Sequence, residues 1–387
     1  MAHCLKCSCR RLLAAILVGI ALPHFSLHAQ EAPRSIHQIE SEYYNAYPDR
    51  VERPDPARVL LRRPDLMKRV ALSRVVYGFH PYWISDASAA AYYYSLLTHV
   101  AYFSAEVDTS VNTTGGFSTT RAWSSTQVVN YCKSYGVKIH LTITMFYKHD
   151  RVLKNNTNRQ NLITNIISQI NLRSADGVNI DFENMSSSDQ ALADSFRTFI
   201  YQLGTSLKAI GKELVVELPA VDWSNRYFVS NFFSQNNSVV DYYFLMAYDY
   251  YWSGSTTAGP GSPLTTGTAI WHVTRSIDTY LNRGASASKL IAGFPYYGYD
   301  WPVVSDTRMA STTGTGTSRT YNTIRTYVDT ISSSNWFFDS QYNVPWYRYQ
   351  SGGNWRQTWY DDSLSLSRKY DTVNVRAIAG SGMWALG

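Results

Sequence analysis

From residue 74 to the end of the chain, short apolar runs alternate with longer stretches in which apolar residues recur at helical spacing. The runs lie at 75–79, 98–104, 137–144, 177–182, 213–218, 240–247, 290–294 and 376–384, each rich in β-branched or aromatic residues. Helix-like segments such as 158–171 and 188–210 lie between most of them. Eight buried strands alternating with helices predict an α/β fold, a parallel sheet closed into a (β/α)8 TIM barrel. An open doubly wound sheet usually has fewer strands, and no Gly-rich dinucleotide turn follows the first run here. No repeat of 20–50 residues suggests a solenoid or propeller.

The spacing locates an insertion. Most strand starts are 23 to 50 residues apart, but the last two are separated by 86. The excess contains a Ser/Thr/Gly stretch at 311–317, a helix-like 322–331 and aromatic extended pieces at 336–338 and 346–349. It predicts a small α+β insertion at about 302–358, between strands seven and eight, where barrel insertions wall the active-site cleft. The expected domains are therefore a leader at 1–29, a leader/linker segment at 30–73 and the barrel at 74–387. Prolines 33, 48, 54, 56 and 64 break the linker, leaving short helical pieces around 35–47 and 58–68. The pattern leaves open whether this segment packs on the barrel or acts as a spacer.

Composition changes the picture at the amino terminus. Lys6, Arg10 and Arg11 precede an apolar run at 12–22, and Leu27-His28-Ala29 offers a cleavage site, as in a secretory signal peptide. Its removal lowers the formal net charge from +6 to about +3, which weakens a nucleic-acid reading. Cys4, Cys7 and Cys9 lie in the leader, leaving Cys132, expected as a small buried apolar residue. The remaining chain is expected to be extracytoplasmic, without stable membrane insertion, and monomeric. Charged residues make up 17%, below the usual roughly 25%, whereas aromatics reach 14% with 30 Tyr and 11 Trp. That surplus points to neutral, flat-faced ligands.

The chemistry concentrates in Asp176-Gly177-Val178-Asn179-Ile180-Asp181-Phe182-Glu183. Strand alternation puts Asn179, Asp181 and Glu183 on one face and Val178, Ile180 and Phe182 on the other. Inward polar groups at the carboxyl end of a barrel strand are costly unless used. Carboxylates at i and i+2 lie about 6.6 Å apart and repel, which suits a general acid at Glu183 beside an ionised Asp181.

This stretch resembles the DxxDxDxE signature of glycoside hydrolase family 18, the chitinase-like barrels. Met246-Ala247-Tyr248-Asp249 resembles that family's MxYD motif, Gly293–Tyr299 its strand-seven end, and Gly382-Met383-Trp384 its strand-eight tryptophan. The resemblance covers about residues 74–387. It implies a retaining mechanism in which the substrate's N-acetyl oxygen is the nucleophile. Glu183 would protonate the leaving oxygen, Asp181 would hold the acetamide N–H, and Tyr248 would hydrogen-bond its carbonyl. Asp249, Asn179, Met246, Tyr297 and Trp83 would contribute to substrate binding, with Trp384 as an aromatic floor. Core filling is the preferred role of Met246. Tyr82, Tyr251, Trp252 and Trp301 also fall near strand ends and are candidate subsite walls.

The chain departs from the signature at Asn179, which replaces the middle acid, and at Phe182, which replaces a frequent Trp. Asn179 cannot share a proton with Asp181, so Asp181 is expected to be ionised whenever Glu183 is in its acid form. With Trp359-Tyr360-Asp361-Asp362 and Trp384-Ala385-Leu386-Gly387, the variant resembles the spore-cortex and peptidoglycan-associated branch. The implied substrate is a β-1,4-linked N-acetylglucosamine-containing glycan. The rival reading is a chitinase-like lectin without catalysis, although the three residues Glu183, Asp181 and Tyr248 remain. The sequence has no paired metal-ligand spacing, phosphate loop or Gly-x-Ser-x-Gly elbow, so neither metal nor cofactor is expected.

Overall fold

The computed structural model describes residues 34–48, 50, 71–185, 188–222, 231–265 and 270–387. The expected leader at 1–29 and the helical piece at 58–68 lie outside the described residues. The longer helices are Ile36–Ala46 (α1), Val128–Tyr135 (α2), Asn156–Leu172 (α3), Gln190–Ala209 (α4), Val273–Asn282 (α5), Tyr321–Val328 (α6) and Ser363–Val375 (α7). The strands are Val75–Pro81 (β1), His99–Val107 (β2), Phe117–Thr119 (β3), Lys138–Met145 (β4), Gly177–Phe182 (β5), Glu213–Pro219 (β6) and Tyr242–Met246 (β7). They continue with Leu290–Pro295 (β8), Tyr297–Val303 (β9), Thr317–Thr320 (β10), Trp336–Asp339 (β11), Val344–Ser351 (β12), Asn354–Trp359 (β13) and Gly380–Trp384 (β14).

Eight parallel strands run in the order β1-β14-β8-β7-β6-β5-β4-β2, and pairing of β1 with β2 closes the ring. This is the (β/α)8 barrel that the periodicity predicts. Strand alternation sorts the apolar residues into two layers. Val178, Ile180 and Phe182 face outward and join Phe196, Phe199 and Leu203 of α4. Tyr77, Phe79, Val215, Phe244 and Ile291 fill the barrel interior. Phe244 reaches across to β8 and β14, where a Cβ on Gly293 or Gly382 would lie 2.4 or 2.2 Å from its ring. Glycine at both positions therefore makes room for an aromatic plug in the barrel.

The eighth barrel strand starts at Gly380 rather than at the expected 376. Residues 376 and 377 instead close α7, donating their N–H groups to Thr372 and Asn374 carbonyls, so they are unavailable to a strand ladder. The insertion is a five-stranded antiparallel sheet, β10-β9-β13-β12-β11, with α6 beside it. It begins at Tyr297 and ends at Trp359, slightly outside the 302–358 expected from spacing. The aromatic run after β8 is itself a strand, because β9 pairs with both β10 and β13. Cys132 is fully buried on α2, as expected of a small apolar residue.

Candidate active site

The register of β5 brings its polar face to the carboxyl end of the barrel. Asn179 and Asp181 are fully buried, and Glu183 follows at 7% exposure. Its backbone N–H donates to Met145 at the end of β4, which fixes the chain just past the strand. Tyr248 and Asp249 follow β7, and Asp249 adopts a left-handed φ of 59°. That turn presents one Asp249 carboxylate oxygen to the hydroxyls of Tyr297 and Tyr299, at 2.5 and 3.0 Å. Burial raises the proton affinity of Asp249, and these hydrogen bonds oppose the rise. Burial also pushes the Tyr248 hydroxyl well above its usual range, aided by Glu217 and Asp181, so it remains a donor.

Trp384 closes the floor at the end of β14, buried against Phe79 and Phe103. Trp83 stands edge-on to it, with ring centroids 6.3 Å apart. Met246 is buried in the same interior cluster, consistent with core filling. Trp301 is a correction to the subsite expectation. It is fully buried and donates its indole N–H to the Trp252 carbonyl, so it supports the insertion. Tyr251 and Trp252 are half-buried beside that same cluster.

The sequence reading missed Glu217. The register pairs Ile180 with Val216, so Asp181 and Glu217 come next along β5 and β6. Glu217 is 2% exposed, and burial raises its proton affinity well above the usual carboxyl range, reinforced by the charges of Asp181 and Glu183. Asn179 lies between its carboxyl and the buried Tyr77 hydroxyl. The available signal was parity: Glu217 shares the inward face with Val215 in an otherwise apolar run.

The larger omission is the docking site of α1, the helical piece expected around 35–47. Ser35 caps this helix by accepting from the Gln38 N–H, while its hydroxyl donates to Glu183 at 2.6 Å. The Ile36 N–H donates to Asp249 at 2.9 Å. His37 is fully buried, its two ring nitrogens 3.0 Å from Asp181 and 2.8 Å from the Tyr248 hydroxyl. Its ring lies over Trp384, with centroids 3.8 Å apart. Gln38 accepts from Asn184 at 2.6 Å and donates to the Tyr147 hydroxyl. Thus α1, within the 30–73 segment, lies in the barrel mouth. A sequence pattern does not show this, because a short helix carries no record of its docking face.

Among the described residues, two groups have the composition of metal ligands: the buried His37, Asp181 and Glu217, and the buried His99 and His140 with the partly buried Glu213. In the first, Asp181 and Tyr248 engage both His37 nitrogens. The second sits at the opposite end of the barrel, where both histidine Nε2 atoms lie 3.1 Å from one Glu213 oxygen. Thr98 and Tyr77 engage the other nitrogens, and Lys138 contacts the second Glu213 oxygen. Burial opposes ionisation of Glu213, but its histidine and lysine partners hold it below the usual carboxylate range. Hydrogen bonding accounts for the second group and, in the first, for both His37 nitrogens.

A closed barrel with inward carboxyls and an aromatic floor at its carboxyl end defines the architecture of a barrel glycosidase. Residues 75–387 match the glycosyl hydrolases family 18, and the chain belongs to that family. It is 31% identical over 238 residues to the Bacillus subtilis protein YdhD, named as a sporulation-specific glycosylase, covering 61% of this chain and 53% of that one. It is 21% identical over 248 residues to the cortical fragment-lytic enzyme of Bacillus anthracis, covering 61% and 52%. These matches agree with the spore-cortex branch, and the chain spans about half the length of these two relatives. The fold also matches a Cycas revoluta chitinase solved with (GlcNAc)3, at TM-score 0.68 and 18% identity over 81% and 95% of the two chains.

Proposed function

We propose that the chain hydrolyses β-1,4-linked N-acetylglucosamine-containing glycans by a retaining mechanism in which the substrate's acetamide oxygen attacks the anomeric carbon. The observation that carries this reading is the convergence of Asp181, Glu183 and Tyr248 above Trp384. Glu183 donates its proton to the leaving glycosidic oxygen, and Asp181 accepts the acetamide N–H and stabilises the positive oxazolinium. Tyr248 donates to the acetamide oxygen, orienting it for attack. Glu183 then takes a proton from the water that opens the intermediate. Asp249, positioned by Tyr297 and Tyr299, binds the sugar, while Trp384 and Trp83 offer stacking faces.

Asn179 and Glu217 support Asp181 from within the barrel. Glu217 keeps a proton and presents a neutral carboxyl to Asp181, a role that the neighbouring acid on β5 would otherwise take. One Asp181 oxygen, one Glu217 oxygen and a His37 nitrogen lie within 4.8 Å of one another, which supports that placement. The chain works as an exported monomer without a cofactor. Among the described residues, no helix is long and apolar enough to cross a membrane.

The test compares the protein with Glu183→Gln on chitin oligomers, peptidoglycan and the paired N-acetylglucosamine core of N-linked glycans, with products identified by mass spectrometry. Product release by the parent, reduced at least 100-fold in the variant, supports hydrolysis. Equal inertness of both proteins, with retained oligosaccharide binding, would establish the lectin alternative.

A further inference from the structure

We propose that residues 35–46 are an internal competitor for the N-acetylated sugar, with His37 standing in for its acetamide group. This inference rests on the glycan reading of the site. In one neutral tautomer, His37 Nδ1–H donates to Asp181 while Nε2 accepts from the Tyr248 hydroxyl. An acetamide has the same pattern: its N–H would donate to Asp181, and its oxygen would accept from Tyr248. The imidazole is also flat and lies on Trp384, as a sugar ring would.

The rest of the helix occupies neighbouring positions. Ser35 takes one oxygen of Glu183, the group that must reach the glycosidic bond, and the Ile36 N–H takes Asp249. The amino-terminal end of α1 thereby aims its positive dipole end at the acidic cluster. Trp384 donates its indole N–H to Glu40 at 3.1 Å. Further along α1, Tyr44 stacks on Trp83 with centroids 4.7 Å apart and planes 8° from parallel, and Asn45 accepts from Tyr82. An open cavity of about 260 Å³ lies beside this helix, lined by Tyr44, Tyr82, Trp83 and Arg121, rather than over Glu183. A sugar and α1 claim the same donors, acceptors and ring face, so they exclude one another.

The test uses the full chain carrying Glu183→Gln to stop turnover, with and without His37→Ala, and the β-1,4 trimer of N-acetylglucosamine as probe. Calorimetry should show at least tenfold tighter trimer binding when His37 is removed. Hydrogen exchange should show residues 35–46 losing protection as trimer saturates the His37-containing protein. Tyr44→Ala, remote from the acids, should shift affinity in the same direction and serves if His37→Ala fails to fold. Equal affinity in the folded variants, with residues 35–46 still protected at saturation, would overturn the competitor while leaving the glycan reading intact. Trimer binding to none of the proteins would overturn both.

Discussion

At the scale of single residues, the acids divide according to what surrounds them. Glu183 retains 7% exposure at the barrel mouth, whereas Asp181 and Glu217 are enclosed between β5 and β6. Two adjacent buried carboxyls resist ionising together, and burial with the charges of Asp181 and Glu183 makes Glu217 the one that keeps a proton. This changes what Asn179 means. The sequence suggested that Asp181 lacks a proton-sharing neighbour, but β6 supplies one through Glu217. Glu217→Gln, a neutral mimic, should keep kcat/KM within about threefold of the parent. A much larger loss in a folded variant would assign Glu217 an ionised role. Asn179→Asp should preserve the fold and move the acidic limb of the pH–rate profile upward by about one unit, because another acid opposes ionisation of Asp181. An unchanged profile would remove this position from the proton balance. Asp181 and Glu183 were legible because their spacing is local; Glu217 required knowledge of which strand lies beside β5.

At the scale of elements, strand periodicity locates the barrel to within a few residues, while packing sets the ends. The last helix is an example. Asp362 and Ser365 form reciprocal caps at the start of α7. Lys369, fully buried on the same helix, reaches Asp361 at 2.5 Å. Burial opposes charge on both groups, and each partner favours it in the other. Lys369→Met should destabilise the protein by about 3 kcal/mol, since Asp361 is left buried without its partner. Thermal unfolding should show a drop of several degrees, at roughly 2 °C per kcal/mol for a chain of this size. An unchanged midpoint would mean that the pair contributes nothing to holding α7. The two residues are eight apart, yet composition does not reveal that both are inside.

At the scale of the whole molecule, docking of α1 joins the amino-terminal segment to the barrel's acidic mouth. His37 faces the carboxyls of Asp181, Glu183, Glu217 and Asp249, the Tyr248 hydroxyl and the Trp384 ring. Burial pushes its pKa from 6.5 down to about 4, although Glu183 and Asp249 pull the other way. The docked ring is therefore neutral, and the released ring takes up a proton below about pH 6.5. Docking is fully favoured above that value and weakens by up to about tenfold per pH unit towards pH 4. Hydrogen exchange in residues 35–46, corrected for intrinsic rates, should accelerate over this window in the parent and remain flat in His37→Ala. Greater protection of the parent at acid pH would show that the surrounding carboxyls, not His37, govern docking. The sequence by itself determined the barrel, the strand carrying Asp181 and Glu183, and the aromatic character of the site, because these follow from periodicity and short spacing. Only the tertiary structure decided that Glu217 faces Asp181, that Trp301 supports the insertion and that His37 fills the mouth. Each depends on contacts between distant parts of the chain, and no local pattern encodes which surfaces will meet.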